Sequence, residues 1–299
     1  MACTDKSRLR QSRSFQTGRK KTDFPPFSVV LCVYSADEPA WFDLAVQSIL
    51  NQTLPPAEVV LVVDGPVGPE LETVISRYQQ ISCFKVIRFP ENRGHGAARN
   101  AGLETCCWDL AAMMDADDIS MPDRFEKQLK LFAENPKLSA VGGQIVEFKN
   151  TPEQIIGYRI VPQTHSTICR EMKKRCPMNQ VTVMLKRSDV RQAGGYREWY
   201  CNEDYYLWLR MYLVGMEFAN TGEVLVQVRA GNGMYRRRGG WRYFLSEAKL
   251  QKFMLRSEII GPMTWLWNVA KRAVVQLVLP AGLRGMVFQK FARKKSWRQ

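Results

Sequence analysis

The stretch SVVLCVYSADEPAWFDLAVQSILNQTLPPAEVVLVVDG, residues 28–65, decides the expected fold because it combines two strand patterns with a helical one. Its ends, 28–34 and 58–65, are near-continuous apolar, β-branched runs, the pattern of strands that are buried on both faces of a parallel sheet. Between them, apolar residues recur at helical spacing from Trp41 to Leu50. The stretch therefore predicts a βαβ unit.

The same alternation continues along the next 80 residues or so, which predicts an α/β fold with a mainly parallel central sheet flanked by helices. Ligands of such sheets bind outside the carboxyl ends of the strands, so the site is expected where strands stop, at Tyr34-Ser35, Asp64-Gly65 and 115–117. The segments are a helix at 71–78, a strand at 84–89, a Gly- and Ala-rich helix at 94–104, a strand at 109–115, a helix opened by Pro122 and a strand at 139–148.

The remainder of the chain divides into three further parts. Residues 1–24 have almost no apolar content and are expected to be disordered. The folded domain is expected at 25–240, with halves at 25–149 and 150–240. Its second half contains predicted strands at 181–186 and 223–228 and an acidic, aromatic helix at 202–213, and a helical tail follows at 241–299.

The net charge of +14 lies at the two ends of the chain. Residues 1–22 hold seven Lys/Arg and one acid, and residues 261–299 hold eight Lys/Arg and no acid, which leaves 28 basic and 28 acidic residues between them. Basic ends on a neutral body predict docking on an anionic surface, either lipid or nucleic acid. The longest uncharged run near the end, 273–283, is far shorter than the roughly 20 residues that span a bilayer, so an interfacial amphipathic helix is predicted.

The cysteines and the N-terminus predict a cytoplasmic location. None of the eight cysteines forms a CxxC pair, and only two histidines are present, so a structural zinc site is not expected. The cysteines are interpreted as reduced, mostly buried residues. No apolar segment follows the N-terminal charges, so no export signal is expected.

The segment MMDADD, residues 113–118, is the strongest functional feature of the sequence. Three carboxylates within four residues repel one another unless a cation or hydrogen-bond donors compensate them. A D-x-D pattern at a strand end, here Asp115 and Asp117, can direct two carboxylates at one Mg²⁺ or Mn²⁺ ion that neutralises a pyrophosphate. The alternative is a solvated acidic loop in which Asp118 or Ser120 caps the next helix.

Several segments in this order resemble family 2 glycosyltransferases, whose fold is called GT-A. The segments DADDISMPDRFEKQ and GMYRRRGG (233–240) look most similar to bacterial enzymes of the amylovoran-biosynthesis type, which assemble exopolysaccharide or O-antigen repeat units. The resemblance implies a GT-A domain with a membrane-associating helical extension. It is carried by SVVLCVY with Asp37-Glu38, VVDG at Asp64, NRGHGAARNAGL at 92–103, DADDISMPDRFEKQ at 115–128 and NEDYYLWLRM at 202–211.

On the donor side, the resemblance implies that Asp117, assisted by Asp115, holds Mn²⁺ or Mg²⁺. Many members have a double Asp before the glycine, whereas Val63 precedes Asp64 here. Asp64 is alternatively a turn residue, and the 94–104 helix alternatively only packs, with Arg99 bridging acids. The implied nucleotide-sugar contacts are Tyr34, Ser35, Glu38, Asp64, Arg93, Arg99, Asn100, Asp115 and Ala116.

On the acceptor side, the resemblance implies that Asp204, beside Glu203, is the general base that takes the proton from the attacking hydroxyl. The alternative is an acidic first helical turn that complements the helix dipole. Trp208 is predicted to contact the acceptor or to belong to the core, and Gln180 stands where relatives often have a histidine. The basic run Arg236, Arg237 and Arg238, beside flexible glycines, is predicted to bind either the diphosphate of the sugar nucleotide or the pyrophosphate of a lipid-linked acceptor. Alternatively, the run is a solvated basic loop.

The sequence thus predicts a metal-dependent, inverting hexosyltransferase. The expected donor is UDP-glucose or UDP-galactose, and the expected acceptor is an undecaprenyl-diphosphate-linked saccharide. The enzyme is expected to lie peripherally on the cytoplasmic side of the bacterial inner membrane, held by its basic C-terminal helices. A nucleotidyltransferase would need a Gly-rich loop after the first strand, and a nucleic-acid-binding protein is disfavoured by the neutral body. A module that only binds a nucleotide sugar or a membrane is the remaining alternative.

Overall fold

The structure is a computed structural model that describes residues 24–230, 239–279 and 293. Two predictions fall outside these residues. They are the disordered arm, of which only Phe24 is described, and the diphosphate contacts of Arg236, Arg237 and Arg238.

The first half of the domain forms the expected parallel sheet. β1 pairs in parallel with β2 and β4, and β2 pairs in parallel with β3. β1 and β2 are almost completely buried along their length, as their continuous apolar runs predict. The elements are β1 (Ser28–Val33), α1 (Pro39–Leu50), β2 (Glu58–Val63), α2 (Pro69–Gln79), β3 (Phe84–Arg88), α3 (His95–Thr105) and β4 (Leu110–Asp115).

The second half continues the sheet with mixed strand directions. Among the described residues the sheet has nine strands, in the order β3-β2-β1-β4-β8-β6-β9-β5, with β7 on β6. β6 and β9 run parallel, whereas β8 is antiparallel to both β4 and β6. The elements are β5 (Ile119–Ser120), α4 (Arg124–Glu134), β6 (Leu138–Phe148), β7 (Ile155–Arg159), α5 (His165–Met172), β8 (Met184–Lys186), α6 (Arg187–Gln192), α7 (Glu203–Leu213) and β9 (Glu217–Arg229).

Two predicted strands have different bounds in the structure. The expected strand at 181–186 starts with a 3-10 turn, Gln180–Thr182, because the Thr182 hydroxyl and amide both donate to Asn179 O. Such local hydrogen bonds compete with strand pairing. The expected strand at 223–228 is longer, since β9 pairs with β6 along most of both strands.

The core consists of two apolar clusters, one on each face of the sheet. α3 lies close to β1 because Gly102 has no side chain: a Cβ there would come within 2.4 Å of Val30 Cγ1. The close approach brings the N-terminal half of α3 to the carboxyl ends of β1 and β4, where the acidic segment begins.

The described C-terminal part is helical and packs on the domain. α8 (Trp241–Arg256) inserts Leu250 and Met254 into the second cluster. α9 (Pro262–Ala273) is attached by an Arg272–Glu247 ion pair and by Asn268, which donates to Lys173 O, and a π-helical turn follows at Val274–Val278. None of the helices in the described ranges has the length and apolar character that crossing a membrane requires.

Candidate active site

The acidic segment after β4 is fixed to the end of β9. Asp118 is buried, and its Oδ1 accepts a 2.8 Å hydrogen bond from the Arg229 amide. The Arg229 Nε donates to Asp117 O at 3.3 Å, and the guanidinium lies over the Trp41 and Phe148 rings. Asp115 and Asp117 are held in the same turn and are half-buried. The β4–β5 turn is therefore ordered by contacts from a strand more than 100 residues away.

A further carboxylate, Asp37, belongs to this acidic group. Burial raises the pKa of Asp37 to about 7, and the charges of Asp117 and Asp115 add to the increase. Burial, followed by the same two charges, also raises the pKa of Asp118 well above its ordinary value. Glu38, which the sequence predicts as a donor contact, is exposed at the start of α1. Its contact to a nucleotide stays a prediction, and Asp37 is a carboxylate that the sequence did not single out.

The acidic group fits a hard divalent cation. Mutual repulsion makes these carboxylates costly to ionise together, and a cation would offset that cost. Among the described residues, no set of three or more His, Cys, Asp or Glu side chains is arranged as a complete metal site. Mg²⁺ typically binds only one or two protein carboxylates, and water and substrate phosphates complete its coordination. Asp115 and Asp117 are able to provide these carboxylates.

Arg99 joins the acidic group to α7. Its side chain is buried, and it donates to Asp115 Oδ1 at 3.2 Å and to Glu203 Oε1 at 3.0 Å. Its guanidinium also lies 5.8 Å from the centre of the Tyr196 ring. Arg99 thus bridges two acids, as the alternative interpretation of this helix predicts, and its contact to a nucleotide stays a prediction. The arginine holds β4, α3 and α7 in a fixed arrangement.

Asp204 lines the same cleft, and its environment suits a general base. Burial, then the neighbouring Glu203 charge, raises the pKa of Asp204 to about 6, although Arg99 and Arg159 act in the opposite direction. Asp204 Oδ1 accepts a hydrogen bond from the Tyr205 amide at 2.7 Å. A carboxylate with a pKa near neutrality is ionised at pH 7 and still basic enough to accept a proton.

The cleft between these residues has a volume of about 230 Å³. Its lining combines acidic residues from β4, the turn after it, β6 and α7 with basic residues from β7, β9 and the tail. The charged and polar residues that line it are Asp115, Asp117, Asp118, Glu147, Arg159, Asn179, Gln180, Asp204, Arg229 and Arg293.

Two of the predicted donor contacts have a structural role that is visible in the fold. Asp64 is buried, and its carboxylate accepts hydrogen bonds from the amides of Arg93 at 2.7 Å and Gly94 at 3.0 Å. Asn100 exchanges two 2.7 Å hydrogen bonds with the main chain of Tyr196. Both residues order loops at the cleft, and their contacts to a nucleotide stay predictions.

The other predicted donor residues lie around the ends of β1 and β4. Tyr34 is half-buried, with its ring 6.4 Å from that of His95, while Ser35 is exposed. Arg93 is exposed above the Phe89 ring, and Ala116 is buried between the two aspartates of the D-x-D pattern. These positions leave the predicted nucleotide contacts of Tyr34, Ser35 and Arg93 open to test.

The predicted acceptor contact of Trp208 is corrected by the structure. Trp208 is completely buried in the second apolar cluster, edge-on to Phe218, so its side chain has no accessible surface for a ligand. Gln180 does line the cleft, and its amide donates to the Tyr196 hydroxyl at 2.7 Å. Tyr196 in turn packs against Arg99, so Gln180 stabilises the bridge between α3 and α7.

Sequence reasoning missed four charged residues of the cleft, which are Glu147, Arg159, Arg229 and Arg293. Glu147 and Arg229 carry a usable signal, because a charged residue at the end of an otherwise apolar strand often marks a ligand site. Arg293 carries none, since it is one of eight basic residues in the segment 261–299.

Comparison with known proteins agrees with this geometry. The family model Glycosyl transferase family 2 matches residues 28–191. An uncharacterized glycosyltransferase of Haemophilus influenzae is 39% identical over 268 residues, which are 90% of this chain and 99% of that protein. The Escherichia coli UDP-Gal:alpha-D-GlcNAc-diphosphoundecaprenol beta-1,3-galactosyltransferase is 35% identical, with 91% and 98% covered. The amylovoran biosynthesis glycosyltransferase AmsE of Erwinia amylovora is 35% identical, with 79% and 88% covered.

Solved structures agree on the fold. Crystal structures of S. aureus TarS and of its residues 1–349 superpose with TM-scores of 0.58 and 0.57, each at 15% identity. These matches cover 84% and 88% of this chain, and 44% and 74% of the two TarS chains. The sheet and its helices form the predicted GT-A fold. The family match, the alignment of the relatives along most of this chain and the charged cleft together show that the chain belongs to glycosyl transferase family 2 and is a glycosyltransferase.

Proposed function

We propose that this glycosyltransferase moves a hexose from UDP-glucose or UDP-galactose to a hydroxyl of an undecaprenyl-diphosphate-linked saccharide, with inversion at the anomeric carbon. The observation that carries the proposal is the cleft in which Asp204 faces the Asp115–Asp117 turn, held there by the Glu203–Arg99–Asp115 bridge. The substrate classes follow the name of the E. coli relative, which covers nearly the whole chain.

The reaction is a single displacement in which Asp204 handles the proton. As the acceptor oxygen bonds to the anomeric carbon, its hydroxyl proton passes to Asp204 Oδ, and the bond from that carbon to the diphosphate oxygen breaks. Arg99 keeps α7 and β4 at a fixed separation. Inversion requires the base and the departing diphosphate to lie on opposite sides of the sugar. Holding the groups in place contributes part of the rate enhancement.

Asp117, assisted by Asp115, would hold Mn²⁺ or Mg²⁺ at this site. When bound, such an ion offsets the charge that develops on the leaving diphosphate. Burial is the main cause of the raised pKa values of Asp37 and Asp118, and the charges of Asp117 and Asp115 add to both. A bound cation would offset these costs, which supports a cation at the acidic turn.

A peripheral location on the cytoplasmic face of the bacterial inner membrane is part of the proposal. The outer face of α9 and the following turn exposes apolar side chains at helical spacing, among them Met263, Trp267 and Val278. The surrounding segment, 261–299, carries eight Lys/Arg and no acid. An apolar face within a basic segment suits the interface of an anionic bilayer, where a lipid-linked acceptor lies.

Sugar transfer and donor binding test the proposal directly. The experiment measures both with UDP-glucose, UDP-galactose, their N-acetyl forms and GDP-mannose, each with Mn²⁺, Mg²⁺ or chelator. We expect metal-dependent use of one UDP-sugar, lost in Asp117→Ala and retained in Asp123→Ala, which removes a partly exposed carboxylate just before α4. Absence of binding by every nucleotide sugar would instead support a module without transferase activity.

A further inference from the structure

One residue of the tail lies inside the catalytic cleft. Arg293 Nη2 donates to Glu147 Oε1, and both side chains are almost fully buried, at 7% and 1% exposure. Glu147 belongs to β6 and precedes the last residue of that strand. Arg293 is also part of the lining that contains Asp115, Asp117 and Asp204. The tail therefore contributes to the site as well as to the surface.

A buried ion pair of this kind needs a reason beyond stability, because desolvation offsets most of its attraction. The cleft already contains four aspartates, and its substrates carry diphosphates. An uncompensated Glu147 would add a further negative charge where polyanions bind. Arg293 cancels that charge, and a guanidinium is able to engage a carboxylate on one edge and a phosphate on another.

Resting on the function proposed above, we propose that Arg293 binds a substrate diphosphate in the cleft and that Glu147 positions it for this contact. Arg159 and Arg229 line the same cleft, so Arg293 is the third cation among its lining residues. The diphosphate belongs either to the nucleotide donor or to the lipid-linked acceptor. Both have the same recognition chemistry.

The test uses the full-length protein with Arg293→Ala, Glu147→Gln and the double variant. Arg298→Ala is the matched control, because it removes the same charge from the same basic segment and shares any effect of that charge on membrane binding. Binding of inorganic diphosphate and of UDP is measured by calorimetry with Mg²⁺ present, and KM is measured for donor and acceptor. Thermal unfolding verifies that each variant folds.

Arg293→Ala is expected to weaken diphosphate binding by about 10- to 100-fold, the range for a charge-assisted hydrogen bond, with Arg298→Ala unchanged. The double variant should regain any lost thermal stability, since Glu147 is then neutral, but not the affinity. Weaker UDP binding and a raised donor KM assign the diphosphate to the donor. Unchanged UDP binding with a raised KM for the lipid-linked acceptor, but not for a glycoside lacking diphosphate, assigns it to the acceptor.

Two results would overturn the proposal. Recovery of wild-type diphosphate affinity in the double variant would show that Arg293 only compensates Glu147, and equal affinities for Arg293→Ala and Arg298→Ala would show that it makes no contact. A wild-type protein that transfers no sugar contradicts the proposed function instead. The inorganic diphosphate measurement does not depend on transfer, so it still tests Arg293 in that case.

Discussion

At the scale of single residues, Asp204 determines the expected pH dependence. A base must be ionised, so kcat/KM should fall tenfold per pH unit below the pKa of Asp204, which burial and Glu203 raise to about 6. Cys176 and Arg159 also lie near this carboxylate, and Arg159 lowers its pKa. Asp204→Asn should lower kcat by about 10²- to 10⁴-fold above that pKa and remove the acidic limb of the profile.

Glu203→Gln provides the control for this assignment. Removing the Glu203 charge leaves less repulsion on Asp204 and leaves more of the Arg99 charge uncompensated, and both changes lower the pKa of Asp204. The acidic limb of the rate profile should therefore move to lower pH. An unchanged acidic limb in Glu203→Gln would show that another group controls it.

Arg99 is a buried cation shared by two carboxylates, and its removal should destabilise the fold. Arg99→Ala leaves Asp115 and Glu203 facing each other without compensation, and we expect a loss of about 3–5 kcal/mol in the free energy of unfolding. Urea denaturation measures the difference. Arg88→Ala is the matched control, since Arg88 makes two hydrogen bonds to Glu72 at the exposed surface, where such pairs contribute about 0–1 kcal/mol. Equal losses in the two variants would contradict the bridging role of Arg99.

At the scale of elements, two glycines of α3 should respond oppositely to substitution. A Cβ on Gly102 would lie 2.4 Å from Val30 Cγ1. Val30 is completely buried in β1, so its side chain has no room to move away. Gly102→Ala should therefore cost about 1–3 kcal/mol of unfolding free energy through overpacking. A Cβ on Gly96 has no neighbour closer than 3.8 Å, so Gly96→Ala should be neutral or gain up to about 1 kcal/mol of helix propensity.

Thermal unfolding of both variants measures this difference, and their circular dichroism spectra verify that α3 remains helical. A loss in Gly96→Ala equal to that in Gly102→Ala would indicate a general intolerance of α3 to side chains rather than one close contact with β1.

The sequence predicts local features of the site better than features that depend on distant contacts. The D-x-D turn and the Glu203-Asp204 pair were predictable because each follows its own strand or begins its own helix, where the flanking pattern is unambiguous. Asp37 was not singled out because neighbouring residues in a turn cannot be told apart by periodicity. The importance of Gly102 rather than Gly96 depends on packing against Val30, which the sequence does not contain.

The remaining differences between the sequence predictions and the structure depend on contacts between distant parts of the chain. Arg229 is brought to Asp117 and Asp118 only by the pairing of β9 with β5 and β6. The fully buried Trp208 has the same helical spacing from Asp204 as a cleft residue would have, so periodicity did not separate core from site. The basic composition of the tail predicted a surface role, whereas Arg293 lies within the cleft.

At the scale of the whole molecule, the two proposals assign two functions to the tail. Its basic composition and exposed α9 face would hold the protein on the membrane, and Arg293 would act in the cleft. Deleting 261–299 would remove both functions, and it would also remove Asn268 and Arg272, which attach α9 to the domain. Point variants on the exposed face are therefore the sharper test of membrane binding.

Trp267→Ser with Val278→Ser should reduce binding of the full-length protein to phosphatidylglycerol-containing vesicles, measured by co-sedimentation. Both side chains are 71% exposed, and burying each in the bilayer interface is worth about 1.5–3 kcal/mol, so the affinity should fall at least roughly tenfold. Ile155→Ser with Leu213→Ser removes exposed apolar side chains, 49% and 44% exposed, from the domain instead and should leave binding unchanged. Because the segment is basic, added salt should weaken binding of the wild type. Equal sedimentation of the two double variants would place the membrane contact elsewhere on the molecule.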